Sequence, residues 1–190
     1  MLNVLLRIRN MLMKLLELAV ILLMGTLVID VLWGVFSRSS GAFVAMLGRR
    51  GIDAWSILPR GQGKWTEELA IYLLIWVSLL GASVAYAGKA HLGVDYFVSK
   101  LDAQAAQLME ILVSLIVAFF AIAAFIGGGF VLVQQTLQSN QLSPSLGIKV
   151  GYIYLAVPIS GIFIVIFAVE SIFEIIFKKK LVLQTGQQEN

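Results

Sequence analysis

Four apolar stretches, about Leu15–Phe36, Leu69–Ala87, Ile111–Val133 and Val150–Phe177, dominate this chain of 190 residues. Crossing about 30 Å of hydrocarbon takes roughly 20 helical residues, and each stretch is close to that length or longer. A backbone inside lipid finds no water to bond, so only helices or closed barrels can cross. Barrel strands alternate apolar and polar residues over about ten positions, and no such alternation occurs here. The expected fold is therefore an all-α integral membrane protein with four transmembrane helices. They form a single four-span domain over residues 1–180, followed by a polar C-terminal tail at 181–190. Composition points the same way, with 59% hydrophobic and 13% charged residues, far from the balance of a soluble domain.

Arg7, Arg9 and Lys14 precede the first span as basic residues precede a secretory signal. The apolar core is longer than a signal core and no small-x-small site follows it cleanly, so this span is expected to be retained. The chain has no cysteine, which removes disulfides, lipid attachment at a lipobox cysteine, thiolate metal sites and cysteine nucleophiles together. With the N-terminus inside, eight Lys and Arg residues fall on cytoplasmic segments and six outside. That small excess leans toward both termini being cytoplasmic.

Two segments read as amphipathic helices lying in the headgroup layer. Asn3, Arg7, Asn10, Lys14 and Glu17 draw one polar stripe at the N-terminus, on a helix otherwise apolar. Between spans two and three, Val94, Phe97, Val98, Leu101, Ala105 and Leu108 face away from Asp95, Ser99, Asp102 and Gln104. Small residues mark expected close packing: Ser78, Gly81, Ala85 and Gly88 on span two, and Ser114, Ala118, Ala121, Ala124 and Gly128 on span three. Pro158, with Gly161 nearby, predicts a kink in span four.

Ionisable groups within spans are costly and invite a functional reading. Asp30 has Arg38, or a residue of another chain, as its expected partner. Glu170, Glu174 and Lys178 stand one turn apart and read as a ladder reaching to the interface. His91 and Asp95, four apart, would share a helix face. A base and its orienter is one reading of that pair; organising the turn into the interfacial helix is the other. The chain holds one histidine, and neither a phosphate-binding lysine loop nor a serine elbow. At the entrance to span two Thr66 is a candidate cap, Glu67 and Glu68 occupy the positive first turn, and Trp65 suits the interface.

One ordered set stands out: Arg38, then Trp65-Thr66-Glu67-Glu68-Leu69 with Tyr72 and Trp76, then Leu80-Gly81-Ala82, then His91, Val94 and Asp95. It resembles the small membrane subunit (Q-type) of tripartite ATP-independent periplasmic (TRAP) transporters. That family has W-[ST]-E-E-L-x-x-Y-x-x-x-W, L-G-A and H-x-x-V-D after a first span ending near an arginine. The likeness covers about Leu15 to Phe177. Two departures are visible: 26 residues separate Arg38 from Trp65, where the family has a short loop, and Ile71 stands where arginine is frequent.

The resemblance implies a subunit without catalytic, cofactor or metal sites of its own. It would scaffold a larger, elevator-type membrane subunit that holds the substrate and sodium sites. A periplasmic binding protein would deliver a small organic anion, a carboxylate or sulfonate, at the inner membrane. Arg38, Trp65, Glu67, Glu68, Tyr72, Trp76, Gly81, His91 and Asp95 would then serve the subunit interface or the structure. Arg49 and Arg50, in the long first loop (39–64), are candidates for docking the binding protein. Two other readings stay open: a small interfacial membrane enzyme using His91 and Asp95, or an accessory subunit of another membrane complex.

Overall fold

The computed structural model describes residues 2–48, 64–88 and 102–186. The first span is part of one continuous helix, α1 (Leu2–Gly48), of 47 residues. No proline interrupts it, and an α-helix of that length rises about 70 Å, more than a bilayer with its headgroups. Two expectations change accordingly. The N-terminal amphipathic stretch is the start of the first span rather than a separate interfacial helix, and residues 39–48 of the expected first loop are helical.

The second span is α2 (Lys64–Ala87). The third is continuous but changes winding, from α3 (Ala103–Phe120) through a π-helical segment (Ala121–Gly128) to α4 (Gly129–Gln138). Ala105 and Leu108, assigned above to the second interfacial helix, belong to α3; the rest of its apolar face lies outside the described residues. The fourth span is α5 (Val150–Tyr154) followed by α6 (Ala156–Gly186), so helix continues into the expected polar tail. Four helices in these elements are long and apolar enough to cross a membrane, and among the described residues extended pairing is limited to one isolated bridge, Leu142 with Lys149.

The spans form an open row. α1 packs along α2, α2 along α6, and α6 along the third span. The core lies where α1, α2 and α6 meet: Leu16, Leu80, Ala87 and Phe167 are buried together, with Trp76, Tyr86 and Phe163 against them. α6 therefore sits between two neighbours while the row's broad faces stay apolar and uncovered, as Leu22, Ile29, Leu32, Phe119 and Phe130 show.

Close contacts decide which faces turn inward. On α2 the buried positions are Leu80, Ser83 and Ala87. The Ser83 hydroxyl donates to the Ser160 carbonyl at 3.2 Å, and both serines are fully buried. The stripe of Ser78, Gly81, Ala85 and Gly88 faces away instead, and a Cβ at Gly81 would meet nothing within 4 Å. α2 carries two small-residue faces, and spacing alone cannot say which one finds the neighbour.

Span three departs in a more instructive way. Ser114 and Ala121 are buried as expected, but beyond them Ala124 and Gly128 are exposed while Gly129, Val133 and Thr136 are buried. The π segment adds a residue to the turn, which rotates the packing face by one position, from Ala124 and Gly128 to Phe125 and Gly129.

Opposite that segment, Pro158 has no N–H for the Tyr154 carbonyl. Span four breaks at Leu155, three residues before the proline, and resumes with the Ile159 N–H on the Leu155 carbonyl at 3.2 Å. Three glycines let the two spans touch. An added Cβ would lie 2.6 Å from Leu137 at Gly151, 3.0 Å from Pro158 at Gly129, and 2.6 Å from the Phe125 Cβ at Gly161. Gly161→Ala should therefore destabilise the purified chain by about 1–3 kcal/mol, as overpacking does, whereas Gly81→Ala should leave it unchanged or slightly firmer. Thermal unfolding of both variants in one detergent checks this, and equal melting temperatures would contradict it.

Candidate assembly site at the two ends of α2

At its first turn α2 is held by two neighbours at once. Thr66 is 4% exposed, and a Cβ on Gly34 would lie 3.1 Å from its hydroxyl oxygen. This is the position where α1 must approach without a side chain. α2 already begins at Lys64, so Thr66 lies inside the first turn and packs against α1 instead of capping the helix. Glu67 pairs with Arg38 of α1, and both side chains are more than half exposed. Arg38 is thus committed to Glu67, and the expected Asp30–Arg38 pair does not form.

Glu68 turns to the opposite neighbour. Its carboxylate accepts the Ser143 hydroxyl and, at 3.1 and 3.3 Å, the Ser145 N–H. Those residues belong to the connection between spans three and four. That connection folds back on itself: the Ser143 N–H reaches the Ile148 carbonyl at 2.8 Å and the Gly147 N–H the Ser143 carbonyl at 3.0 Å. Gly147 has φ 65°, a left-handed turn that suits glycine. Successive helix positions point about 100° apart, so two adjacent carboxylates can serve two different neighbours, α1 and the connection between spans three and four. Trp65 is exposed beside them, Tyr72 is half-buried, and Trp76 lies deeper against the core.

At the far end of α2 the anchor is Arg9. Its Nη2 donates to the Ala87 carbonyl at 3.2 Å, and its Nε lies 3.4 Å from Glu170 Oε1 of α6. The last carbonyls of a helix lack intrahelical donors and carry partial negative charge, which a guanidinium satisfies. Glu170 is therefore tied to α1, not only a step in a ladder along its own helix; the Lys178 side chain lies outside the described residues. Sequence reasoning missed Arg9. The available signal was its position about 200° around the helix from Arg7, off the polar stripe and toward the bundle.

Asp30 is left over. It is 6% exposed, with Ser37, Ser40 and Thr66 also buried along this half of the seam, and its Oδ2 has no hydrogen-bond partner. Other polar groups in the spans bond backbone carbonyls, as Thr26 does to Leu22 and Thr136 to Leu132. Among the described residues no three metal-ligating side chains gather. His91, Asp95, Arg49 and Arg50 lie outside the described residues. What the described geometry does chemically is join helices: both carboxylates of the motif, and both arginines of the first span facing α2, hold one element to another.

Comparison with known proteins follows the same segment. Residues 57–178 match the family described as tripartite ATP-independent periplasmic transporters, DctQ component. The chain is 30% identical over 98 residues to the C4-dicarboxylate TRAP transporter small permease protein DctQ of Rhodobacter capsulatus, covering 51% of this chain and 42% of that protein. It is 30% identical over 113 residues to the sialic acid TRAP transporter small permease protein SiaQ of Vibrio cholerae, covering 58% and 62%. It is also 31% identical over 97 residues to the isethionate TRAP transporter permease protein DctMQ of Oleidesulfovibrio alaskensis, covering 50% of this chain and 15% of that protein. The matched part thus spans about two fifths to three fifths of the first two relatives.

Because Glu68 holds the connection between spans three and four, Glu68→Ala should accelerate amide hydrogen exchange at Ser145 and its neighbours. Exchange within α6 should stay unchanged. Unaltered exchange at Ser145 would remove Glu68 from this role.

Proposed function

The chain belongs to the DctQ-component family of tripartite ATP-independent periplasmic transporters, and from that premise we propose that it scaffolds a larger, elevator-type membrane subunit. In this reading it is a non-catalytic, multi-pass subunit of the inner membrane with both termini cytoplasmic. The sodium and substrate sites lie in the larger partner, and this chain carries no cofactor. A periplasmic binding protein supplies a small organic anion, a carboxylate or sulfonate. The names of the relatives, which mention C4-dicarboxylate, sialic acid and isethionate, support that class. The name DctMQ, on a protein of which the match covers only 15%, supports close association with a larger permease part.

The observation that carries this reading is the use made of the motif. Glu67 and Glu68, the groups most suggestive of chemistry, each bind another part of the same chain. They leave an open row whose broad apolar faces suit a membrane-embedded partner.

Alanine at Trp65, Glu67, Glu68 and Tyr72 together should lower recovery of the membrane complex several-fold on copurification, and lower uptake in proteoliposomes with it. Unchanged assembly and uptake would end the assignment. Charge reversal at Arg49 and Arg50 should weaken uptake while the membrane complex stays intact, since these residues are proposed to receive the loaded binding protein from the periplasm. Finding that loop accessible only from the cytoplasm would overturn this role.

A further inference from the structure

The N-terminal polar stripe is not used by any contact described above. Arg7, Asn10 and Lys14 are all exposed. Arg7 and Lys14 lie within about 20° of each other around α1, and Arg9 points almost the opposite way. The ion pairs Arg9–Glu170 and Arg38–Glu67 involve neither Arg7 nor Lys14. On α1 itself Glu17, half-buried, follows the stripe one turn inward of Lys14.

The depth of this stripe follows from the anchors of α2. Arg9 marks one end of that helix and Arg38 the other. The 29 steps from one to the other along α1 rise about 43 Å, which matches a bilayer including its headgroup layers. Arg7 therefore stands at headgroup level at the Arg9 end. Lys14 begins about 10 Å further in, but side chains on a helix lean toward its N-terminus and lysine snorkels outward along its stem. Its ammonium thus returns toward the level of Asn10, about one turn inward of Arg7. Met11, Leu15 and Leu18 flank the stripe as exposed apolar surface suited to acyl chains.

We propose that Arg7 and Lys14, with the Asn10 amide between them, form a site for the phosphodiester headgroup of an acidic phospholipid on the outer face of α1. The two cations supply charge and hydrogen-bond donors at the depth where lipid phosphates lie. The adjacent apolar surface distinguishes a lipid from a soluble anion.

The test is native mass spectrometry of the full chain in mild detergent, titrated with phosphatidylglycerol or with phosphatidylcholine. Wild type should retain phosphatidylglycerol preferentially. Arg7→Gln with Lys14→Gln should weaken that retention roughly tenfold without altering phosphatidylcholine binding, while Arg7→Lys with Lys14→Arg should preserve it. Lys64→Gln with Lys149→Gln, at the opposite end, should have no effect on it. Should the double glutamine variant lose helical content, the two single variants carry the test, each with a smaller loss. Equal retention of both lipids by wild type would overturn the proposal, as would undiminished phosphatidylglycerol binding by the glutamine variants. So would a double variant that still binds phosphatidylglycerol but no longer copurifies with a large membrane subunit, since the face would then belong to a protein.

Discussion

Apolar helix surfaces gain little by exchanging lipid tails for one another, because the tails are as apolar as the side chains. The arrangement of these spans must therefore rest on contacts that lipid cannot imitate. At both ends of α2 those contacts are polar: Arg38 with Glu67 and Glu68 with Ser143 and Ser145 at one end, Arg9 with Ala87 and Glu170 at the other. α1 reaches across the whole membrane to supply both arginines. Its lateral position is consequently fixed at two points about 43 Å apart, while along its length it packs mainly against α2.

Between spans three and four the non-imitable contact is backbone proximity. Gly129, Gly151 and Gly161 allow approaches that a methyl group would obstruct, giving dispersion contacts denser than lipid provides. Two local irregularities make this possible. The π segment rotates span three by one residue, and Pro158 breaks the hydrogen-bond ladder of span four beside it. Five of the eight residues in the π segment are alanine or glycine, so the wider winding gives up few side-chain contacts of its own.

The number and helical nature of the spans were legible because hydrocarbon thickness and backbone satisfaction leave few alternatives. The importance of Glu67 and Glu68 was legible from the ordered motif, but their partners were not. Arg38 lies 29 positions from Glu67, and Ser143 lies 75 positions from Glu68. No local pattern encodes such pairings. The packing face of span three departs from the expected one for a definite reason: the π segment does not keep a 3.6-residue period. On α2 the period was right and the face wrong, since Ser83 and Ala87 are as small as Gly81 and Ala85. Small residues permit close packing on any face where they occur; a neighbour has to select one.

The polar groups of the spans also bear on the proposed role in transport. A route for an organic anion needs polar groups free to meet it through the membrane's depth. Here Thr26, Ser83, Thr136 and Ser160 each direct a hydroxyl to a backbone carbonyl. Among the described residues Asp30 is a buried acid with an unbonded oxygen, and a carboxyl group offers an organic anion no complementary positive charge. An open row also lacks the closed ring of helices that would surround a pore. What remains is surface: two broad apolar faces, held rigid by anchors at both ends of α2. For a moving partner of the kind proposed above, such a face would serve by being wide and fixed, and ion pairs placed at the two ends of α2 fix it without crossing its apolar middle.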